Sequence, residues 1–217
     1  MTINAGIGNT VLRPSGVQIN HTSMANYEGG KLELDTHADT GCASSHVRII
    51  EYTGQIACSV SGFSTELPSI NQIPIINGAA AYDHLDTGEV FIIALNQHLY
   101  LGDKIENTLV CPNQCHYNNV TIDDVPMHLS PTSTHSIYFA ANDIQLPLKL
   151  EGCISYLDIQ YPTNDELENC QWLQLTSERE WDPYSSNMRL YEEKVELYLQ
   201  LILQTVRRQS PLTNNTH

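Results

Sequence analysis

The chain has 217 residues, of which 41% are hydrophobic and 16% are charged, and its formal net charge is -15. These values fit a folded domain with extensions and exclude a highly charged disordered chain. Proteins that grip nucleic acid usually concentrate Lys and Arg on one surface, whereas the ten Lys and Arg here are spread along the chain. Direct binding of nucleic acid is therefore not expected.

The chain also lacks sequence signals for a membrane. No apolar run is long enough to cross a bilayer, and the residues after Met1 are neither basic nor apolar enough for a secretory leader. We therefore expect an intracellular protein of the cytoplasm, without a membrane partner. In that compartment the six cysteines are expected to be free thiols.

Residues 1–29 are rich in Asn, Ser, Thr and Gly and show no sustained periodicity, which predicts a disordered or linker segment. From Lys31 onward, short apolar runs alternate with turn signals, and such a pattern predicts an all-β fold. Residues 83–89 have the composition of a hairpin connection. The predicted strands cover residues 31–34, 47–50, 55–60, 73–76, 79–82, 90–95, 99–101, 108–110, 137–139, 144–150 and 154–159.

The end of the chain has a different pattern. Residues 162–183 are acidic and show no regular period. Beyond them, apolar residues recur at steps of three and four, which predicts one face of an amphipathic helix. That helix could pack or dock, and self-association through it is a further hypothesis. The residues of this face are Met188, Tyr191, Val195, Tyr198, Ile202 and Val206.

Three Asp-Thr pairs are candidates for the chemistry of an aspartic protease, in which two close carboxylates share a proton around one water. Asp35 follows an alternating apolar strand, as such a carboxylate requires. Asp39 carries a literal Asp-Thr-Gly but lacks a strand before it, so it is the alternative. Asp86 also begins Asp-Thr-Gly, but it lies in the predicted turn, where the same residues are common.

The segment around Asp35 resembles a known family. Residues 33–40, Glu-Leu-Asp-Thr-His-Ala-Asp-Thr, are similar to the Leu-Asp-Ser-His-Ala-Asp-Thr segment of copia-like retrotransposon polyproteins, especially those of diatoms and related protists. Residues 95–101 and 107–115 resemble later segments of those polyproteins, and residues 175–178 and 181–183 resemble the Leu-Thr-Ser-Glu and Trp-Asp-Pro that close this region. The resemblance covers about residues 32 to 184 and identifies a retropepsin-like aspartic protease region.

The resemblance implies a retropepsin-like barrel, closed or nearly closed, with extra C-terminal strands and a terminal amphipathic helix. Its parts would be a linker at 1–29, a protease domain at 30–120, a β-rich extension at 121–184, and a helix with its tail at 185–217. A retropepsin chain supplies one catalytic Asp, so the implied partner is a second copy in a homodimer. The implied substrate is a polypeptide, the retrotransposon polyprotein, cleaved in the cytoplasm or within virus-like particles.

The resemblance also assigns roles to single residues. Asp35 would be the catalytic carboxylate, and the Thr36 hydroxyl would contact the loop of the second copy. Ala38 would pack beneath the loop, and Asp39 would hold the loop or contact the substrate backbone. Residues 107–110 would form the strand that crosses under the loop, and residues 60–63 would belong to a flap that closes over the substrate. The residues expected to bind substrate are His37, Ala38, Asp39, Val60, Ser61, Gly62 and Phe63.

His37 stands where retropepsins carry Gly, which permits backbone shapes that His does not. This departure motivates a second hypothesis, that the chain is an inactive, degenerate or domesticated retropepsin-like fragment that serves as an interaction module. No cofactor or metal is expected. The group His37, Asp39, Cys42 and His46 has no recognised ligand spacing, and the pair Cys111 and Cys115 lacks a second ligand pair.

Overall fold

The structure is a computed structural model that describes residues 29–60, 70–186, 188, 194–195 and 197–202, with the backbone alone at 58–60. The predicted linker, apart from its last residue, lies outside this part of the chain. Arg179 ends the first of two compact units, and Glu180 begins the second. The predicted boundaries at residues 120 and 184 stay predictions.

Strands dominate the first unit, which confirms the all-β class. In chain order its elements are β1 (Gly30–Leu34), β2 (Cys42–Ser44), β3 (Arg48–Val60), β4 (Ile70–Asp83), β5 (Val90–Gly102), β6 (Thr108–Val110), α1 (Pro112–Tyr117), β7 (Val120–Asp123), β8 (Ser136–Phe139), β9 (Ile144–Pro147), β10 (Lys149–Glu151), β11 (Ile154–Ile159), α2 (Asn164–Asn169) and β12 (Gln171–Gln174).

The strands form two sheets. The larger has the order β10-β11-β1-β6-β2-β5-β4-β3, and β12 pairs in parallel with β5. The smaller has the order β9-β8-β7. Within the described residues the two ends of the larger sheet, β10 and β3, do not pair with each other, so closure of the expected barrel is not seen. An isolated bridge joins Ala81 of β4 to Gln160, directly after β11.

Three short strands at the centre of the larger sheet position the Asp35 loop. β1 runs parallel to β6, with Leu32 opposite Thr108 and Leu34 opposite Val110. β2 is antiparallel to β6. β1 and β2 are consecutive in the chain, yet β6 lies between them. Residues 35–41, which connect β1 to β2, therefore cross the end of β6.

Several predicted segments merge or change in the structure. Of the predicted strands 47–50 and 55–60, residues 48–50 and 55–60 belong to one strand, β3, because Gly54 at φ 83° permits an irregularity without ending the strand; Val47 precedes it. The turn at 83–89 is confirmed, since β4 ends at Asp83 and β5 begins at Val90. The prediction of irregular structure over 162–183 is wrong for α2 and β12. The sequence did signal α2, because Thr163 and Glu166 form a capping box at its start.

The main hydrophobic core includes side chains of the strands that lead to and lie beneath the Asp35 loop. Leu32, Val110, Leu95 and Leu173 are fully buried and belong to one cluster. Burial of each such side chain contributes about 1.5 to 3 kcal/mol relative to exposure. Leu32 and Val110 come from β1 and β6, so the strands beneath the Asp35 loop are fixed by core packing.

The second unit contains helical residues at 186, 188, 194–195 and 197–202, as the apolar period predicts. On its described part, Val195, Tyr198 and Ile202 are exposed. No helix in the described ranges has both the length and the apolar character that crossing a bilayer requires.

Candidate active site

The Asp35 loop begins where β1 ends. The Asp35 amide donates a hydrogen bond of 3.0 Å to the carbonyl of Val110, the last residue of β6. The Asp35 carboxylate accepts a 2.9 Å hydrogen bond from the His37 amide. The backbone carbonyl of Asp35 accepts a 3.3 Å hydrogen bond from the Ala38 amide. The side chain of Asp35 is thus held in a local turn and remains half-exposed.

His37 adopts an ordinary backbone conformation. The non-glycine residues with positive φ among the described residues are Gln72, Gln97, Asn119, His135 and Asp143, all outside the loop. The loop therefore does not demand Gly at position 37 for backbone reasons. The His37 side chain is exposed, as are Thr36 and Asp39, while Ala38 is half-buried.

The far end of the loop rests on buried polar groups. The Gly41 amide donates a 3.0 Å bond to Oε1 of Gln114 in α1, and the Gly41 carbonyl accepts a 2.9 Å bond from the Leu99 amide. The His98 ring lies against Gly41: a Cβ built there would be 2.3 Å from His98 Nε2. His98 is fully buried, and its Nδ1 donates a 2.9 Å bond to the Asn96 carbonyl. Among the described residues, its Nε2 has no hydrogen-bond partner.

Two cysteine thiols lie within the electrostatic reach of the loop carboxylates. Burial, together with smaller contributions from the negative charges of Asp35 and Asp39, raises the pKa of Cys42 to about 12. Burial also raises the pKa of Cys111, with smaller contributions from Asp39 and Asp35. Both thiols are therefore protonated at neutral pH and cannot act as thiolate nucleophiles. The carboxylates of Asp35 and Asp39 therefore remain the candidate catalytic groups of this loop.

An apolar cluster connects the loop region to the β3–β4 hairpin. Cys42, directly after the loop, packs in one cluster with Ile73 of β4 and Leu99 of β5. Leu109 of β6 packs against the same cluster, as does Ile70 at the start of β4. The hairpin thus contributes apolar side chains beside the strands that carry Asp35.

The other predicted site residues are distributed as follows. Val60 is the last residue of β3 and pairs with Ile70, but its side chain and the remaining flap residues, Ser61, Gly62 and Phe63, lie outside the described residues. Asp86 lies in the exposed turn between β4 and β5, where its amide donates to His84 Nδ1 at 3.3 Å. Asp35 and Asp39 therefore lie in one loop, between β1 and β2, whereas Asp86 lies in a different connection, between β4 and β5.

Three residues that support the loop from below are not marked as functional by the sequence pattern. Gln114, Asn96 and His98 are buried polar residues, and no local pattern marks them as such. The similarity of residues 95–101 and 107–115 to the retrotransposon segments includes all three and is the one signal that pointed to them.

No metal site is assembled from the described residues, in which no group of three or more His, Cys, Asp or Glu side chains could hold an ion. In the first of the two groups considered, His46 has a protein contact, since its Nδ1 lies 3.4 Å from the Ser44 hydroxyl. The five described cysteines are free: Cys42, Cys111, Cys115, Cys153 and Cys170.

Two surface recesses lie away from the loop. One, of about 160 Å³, is lined by residues that include Tyr82, Pro147 and Asp158. The other, of about 310 Å³, is lined by residues that include Asn118 and Thr176. Neither is lined by a residue of 35–41, so neither changes the identification of the candidate site.

Replacing Gly41 with Ala is expected to destabilise the first unit by about 1 to 3 kcal/mol, the usual cost of overpacking. The new Cβ would overlap the His98 ring, which is buried and tethered to Asn96. The midpoint of chemical denaturation measures the effect. In a His98→Ala background the ring is gone, so the same substitution should cost less; an equal cost in both backgrounds would contradict the packing explanation.

Comparison of the chain with protein-family models, with curated proteins and with solved structures found no match.

Proposed function

We propose that the protein is an aspartic endopeptidase in which two copies of Asp35, one from each chain of a homodimer, activate a water molecule for peptide hydrolysis. The observation that carries the proposal is the position of Asp35. It follows a partly buried strand, it starts a tight loop, and its amide is bonded to the end of β6. A catalytic carboxylate requires such fixed backbone support together with solvent access.

The order of the central strands supports the proposal. The resemblance to retropepsins implies a strand at 107–110 under the active-site loop, and β6 (Thr108–Val110) lies between β1 and β2 below residues 35–41. The pairing of Ala81 with Gln160 brings β4 to the end of β11, which favours a sheet that curves toward a barrel. The retropepsin type of barrel is part of the proposal.

In the proposed mechanism the two Asp35 carboxylates share one proton, because two close negative charges repel each other. The ionised carboxylate removes a proton from water as the water attacks the peptide carbonyl carbon. The protonated carboxyl donates its proton to the carbonyl oxygen, and the tetrahedral intermediate then loses the amine after that nitrogen is protonated. Thr36, exposed beside Asp35, is the proposed contact with the second loop, and the hairpin β3–β4 is the proposed flap.

The proposal requires a dimer, and that requirement gives its test. Cleavage of a mixture of random decapeptides by the full chain, followed by mass spectrometry from pH 4 to pH 7, should yield activity per mole of protein that rises with protein concentration. The rise should follow the dimer fraction measured by sedimentation, since one chain supplies half of the dyad. Activity that is independent of concentration in a strict monomer would contradict the proposal, as would a dimer that cleaves no peptide.

The second candidate function is an inactive interaction module. The exposed His37, in place of the Gly of retropepsins, favours it because a bulky side chain occupies the rim of the loop. Under this hypothesis the chain stays monomeric at high concentration and cleaves nothing. The same sedimentation and cleavage measurements therefore separate the two functions.

A further inference from the structure

The side-chain amide of Gln114 joins the Asp35 loop to β5 through three hydrogen bonds. Its Oε1 accepts from the Gly41 amide at 3.0 Å, and its Nε2 donates to the carbonyls of Asn96 at 3.3 Å and Gln97 at 3.1 Å. The side chain is 2% exposed. In such a water-excluded place, loss of any one bond leaves an unsatisfied polar group, so the three bonds fix the position of Gly41 relative to β5.

The Asn96 and Gln97 carbonyls, which accept hydrogen bonds from Gln114, belong to a β-bulge. Opposite the single residue Asn77 of β4, β5 places both Asn96 and Gln97, since the register shifts between Ile76 and Gly78. Gln97 has φ 58°, a left-handed conformation that a side-chain-bearing residue adopts at a cost. Bulges of this kind redirect backbone groups, often beside active sites. Here the bulge directs two carbonyls toward α1.

The opposite side of the bulge is held by residues 174–178. The Thr176 hydroxyl accepts from the Asn96 amide at 2.7 Å and donates to the Asn96 carbonyl at 2.8 Å. The Asn96 side chain donates to the Thr176 carbonyl at 2.8 Å and to Gln174 Oε1 at 3.0 Å, and the Gln97 side chain donates to the Glu178 carbonyl at 3.3 Å. Thr176 is fully buried. The Asn96 carbonyl is therefore shared between Thr176 and Gln114.

We propose that Thr176 is a positioning residue for the Asp35 loop, acting through Asn96 and Gln114, and that Gln174 and Glu178 support the same path through their bonds to Asn96 and Gln97. A catalytic role for this path rests on the proposed function, whereas the coupling of Thr176 to Gly41 does not. The coupling follows from a continuous path of buried hydrogen bonds. Thr176 donates to the Asn96 carbonyl, Gln114 donates to the same carbonyl, and Gln114 accepts from the Gly41 amide. The path joins residues that are 135 positions apart in the chain (176 − 41).

The test is hydrogen exchange of single backbone amides in the full chain. Thr176→Val keeps the shape of the side chain and removes the hydroxyl, and it should raise the exchange rate of the Gly41 amide at least tenfold. The Ala81 amide, bonded to Gln160 at 2.9 Å outside this path, is the internal reference and should change much less. Thr176→Ser should restore Gly41 protection, because it keeps the hydroxyl.

Two further variants bracket this result. Gln114→Leu removes the acceptor of the Gly41 amide and should have the largest effect at Gly41. Ser177→Ala removes a neighbouring hydroxyl, which accepts from the Arg179 amide, and should leave Gly41 unchanged. If Thr176→Val fails to fold, Gln174→Ala decides, because it removes only the bond to the Asn96 side chain from an exposed position. A two- to threefold faster exchange of Gly41 is then expected.

Unchanged exchange of the Gly41 amide in a folded Thr176→Val or Gln174→Ala variant would overturn the proposal. Equal acceleration at Gly41 and Ala81 would also overturn it, because that result signals global destabilisation.

A kinetic measurement adds a second readout. If the chain cleaves peptides, Thr176→Val should lower kcat about tenfold with KM within twofold, since a slightly misplaced Asp35 slows the chemical step more than it weakens substrate binding. If the chain cleaves no peptide, the proposed function fails while amide exchange still decides the coupling.

Discussion

Replacing Asp35 with Asn is expected to lower kcat for peptide cleavage by about a thousandfold or more while leaving the protein folded. The loss follows because an amide can neither accept a proton from water nor share one with the second Asp35. The fold should persist because the Asn side-chain oxygen can still accept the bond that the His37 amide now donates to Asp35 Oδ1. Initial cleavage rates and thermal unfolding of the same preparation measure the two effects.

Two matched substitutions make the result specific. Asp39→Asn changes the other carboxylate of the same loop, and Asp86→Asn changes the Asp of a distant exposed Asp-Thr-Gly turn. Asp86→Asn should be fully active. Asp39→Asn should retain cleavage with weaker substrate binding, seen as a higher KM. An active Asp35→Asn variant together with an inactive Asp39→Asn variant would move the catalytic role to Asp39, the alternative that the sequence left open.

Acidification is expected to destabilise the first unit through His98. Burial lowers the pKa of His98 from 6.5 to about 4, and the hydrogen bond to the Asn96 carbonyl opposes this only in part. The His98 imidazole therefore binds a proton near pH 6.5 in the unfolded chain but only near pH 4 in the folded chain. The free energy of unfolding should fall as the pH drops between these two values, by on the order of 3 kcal/mol from this residue. Above pH 6.5 this contribution is fully present.

His98→Asn isolates that contribution, because Asn does not titrate and its amide nitrogen can replace Nδ1 as the donor to Asn96. The variant should be less stable than the wild type at pH 7.5, owing to the smaller side chain, yet lose less stability on acidification. His128→Asn, at an exposed position, is the matched control and should follow the wild-type pH dependence. Denaturant titrations at pH 7.5, 6, 5 and 4.5 provide the comparison. Equal slopes for wild type and His98→Asn would refute the assignment to His98.

This acid sensitivity bears on the proposed function. A shared proton on the dyad favours acidic conditions, whereas a buried neutral His98 favours neutral ones. Because His98 packs against Gly41, its protonation would disturb the end of the Asp35 loop directly. We therefore expect the acidic limit of any cleavage activity to coincide with loss of folded protein, which far-ultraviolet circular dichroism at each assay pH would reveal.

The sequence determined those features that local chemistry encodes. The alternation of Leu32 and Leu34 with charged neighbours predicted β1, and the turn residues at 83–89 predicted the hairpin that holds Asp86. Asp35 could be chosen over Asp39 and Asp86 because a strand precedes it, and the structure has that strand. The missed helix α2 was also encoded locally, in the capping box of Thr163, and could have been predicted.

The tertiary structure decided the hydrogen bonds that hold the loop. β6 lies between β1 and β2 although it follows them by more than sixty residues; the resemblance implied that place, but no local pattern in the three residues of β6 does. Gln114 and Thr176 have side chains common on protein surfaces, so their burial carries no periodic signal. Their roles arise because packing excludes water there and each buried polar atom then needs a partner. Gly41 finds its partner 73 positions away, a distance that local sequence patterns do not reach.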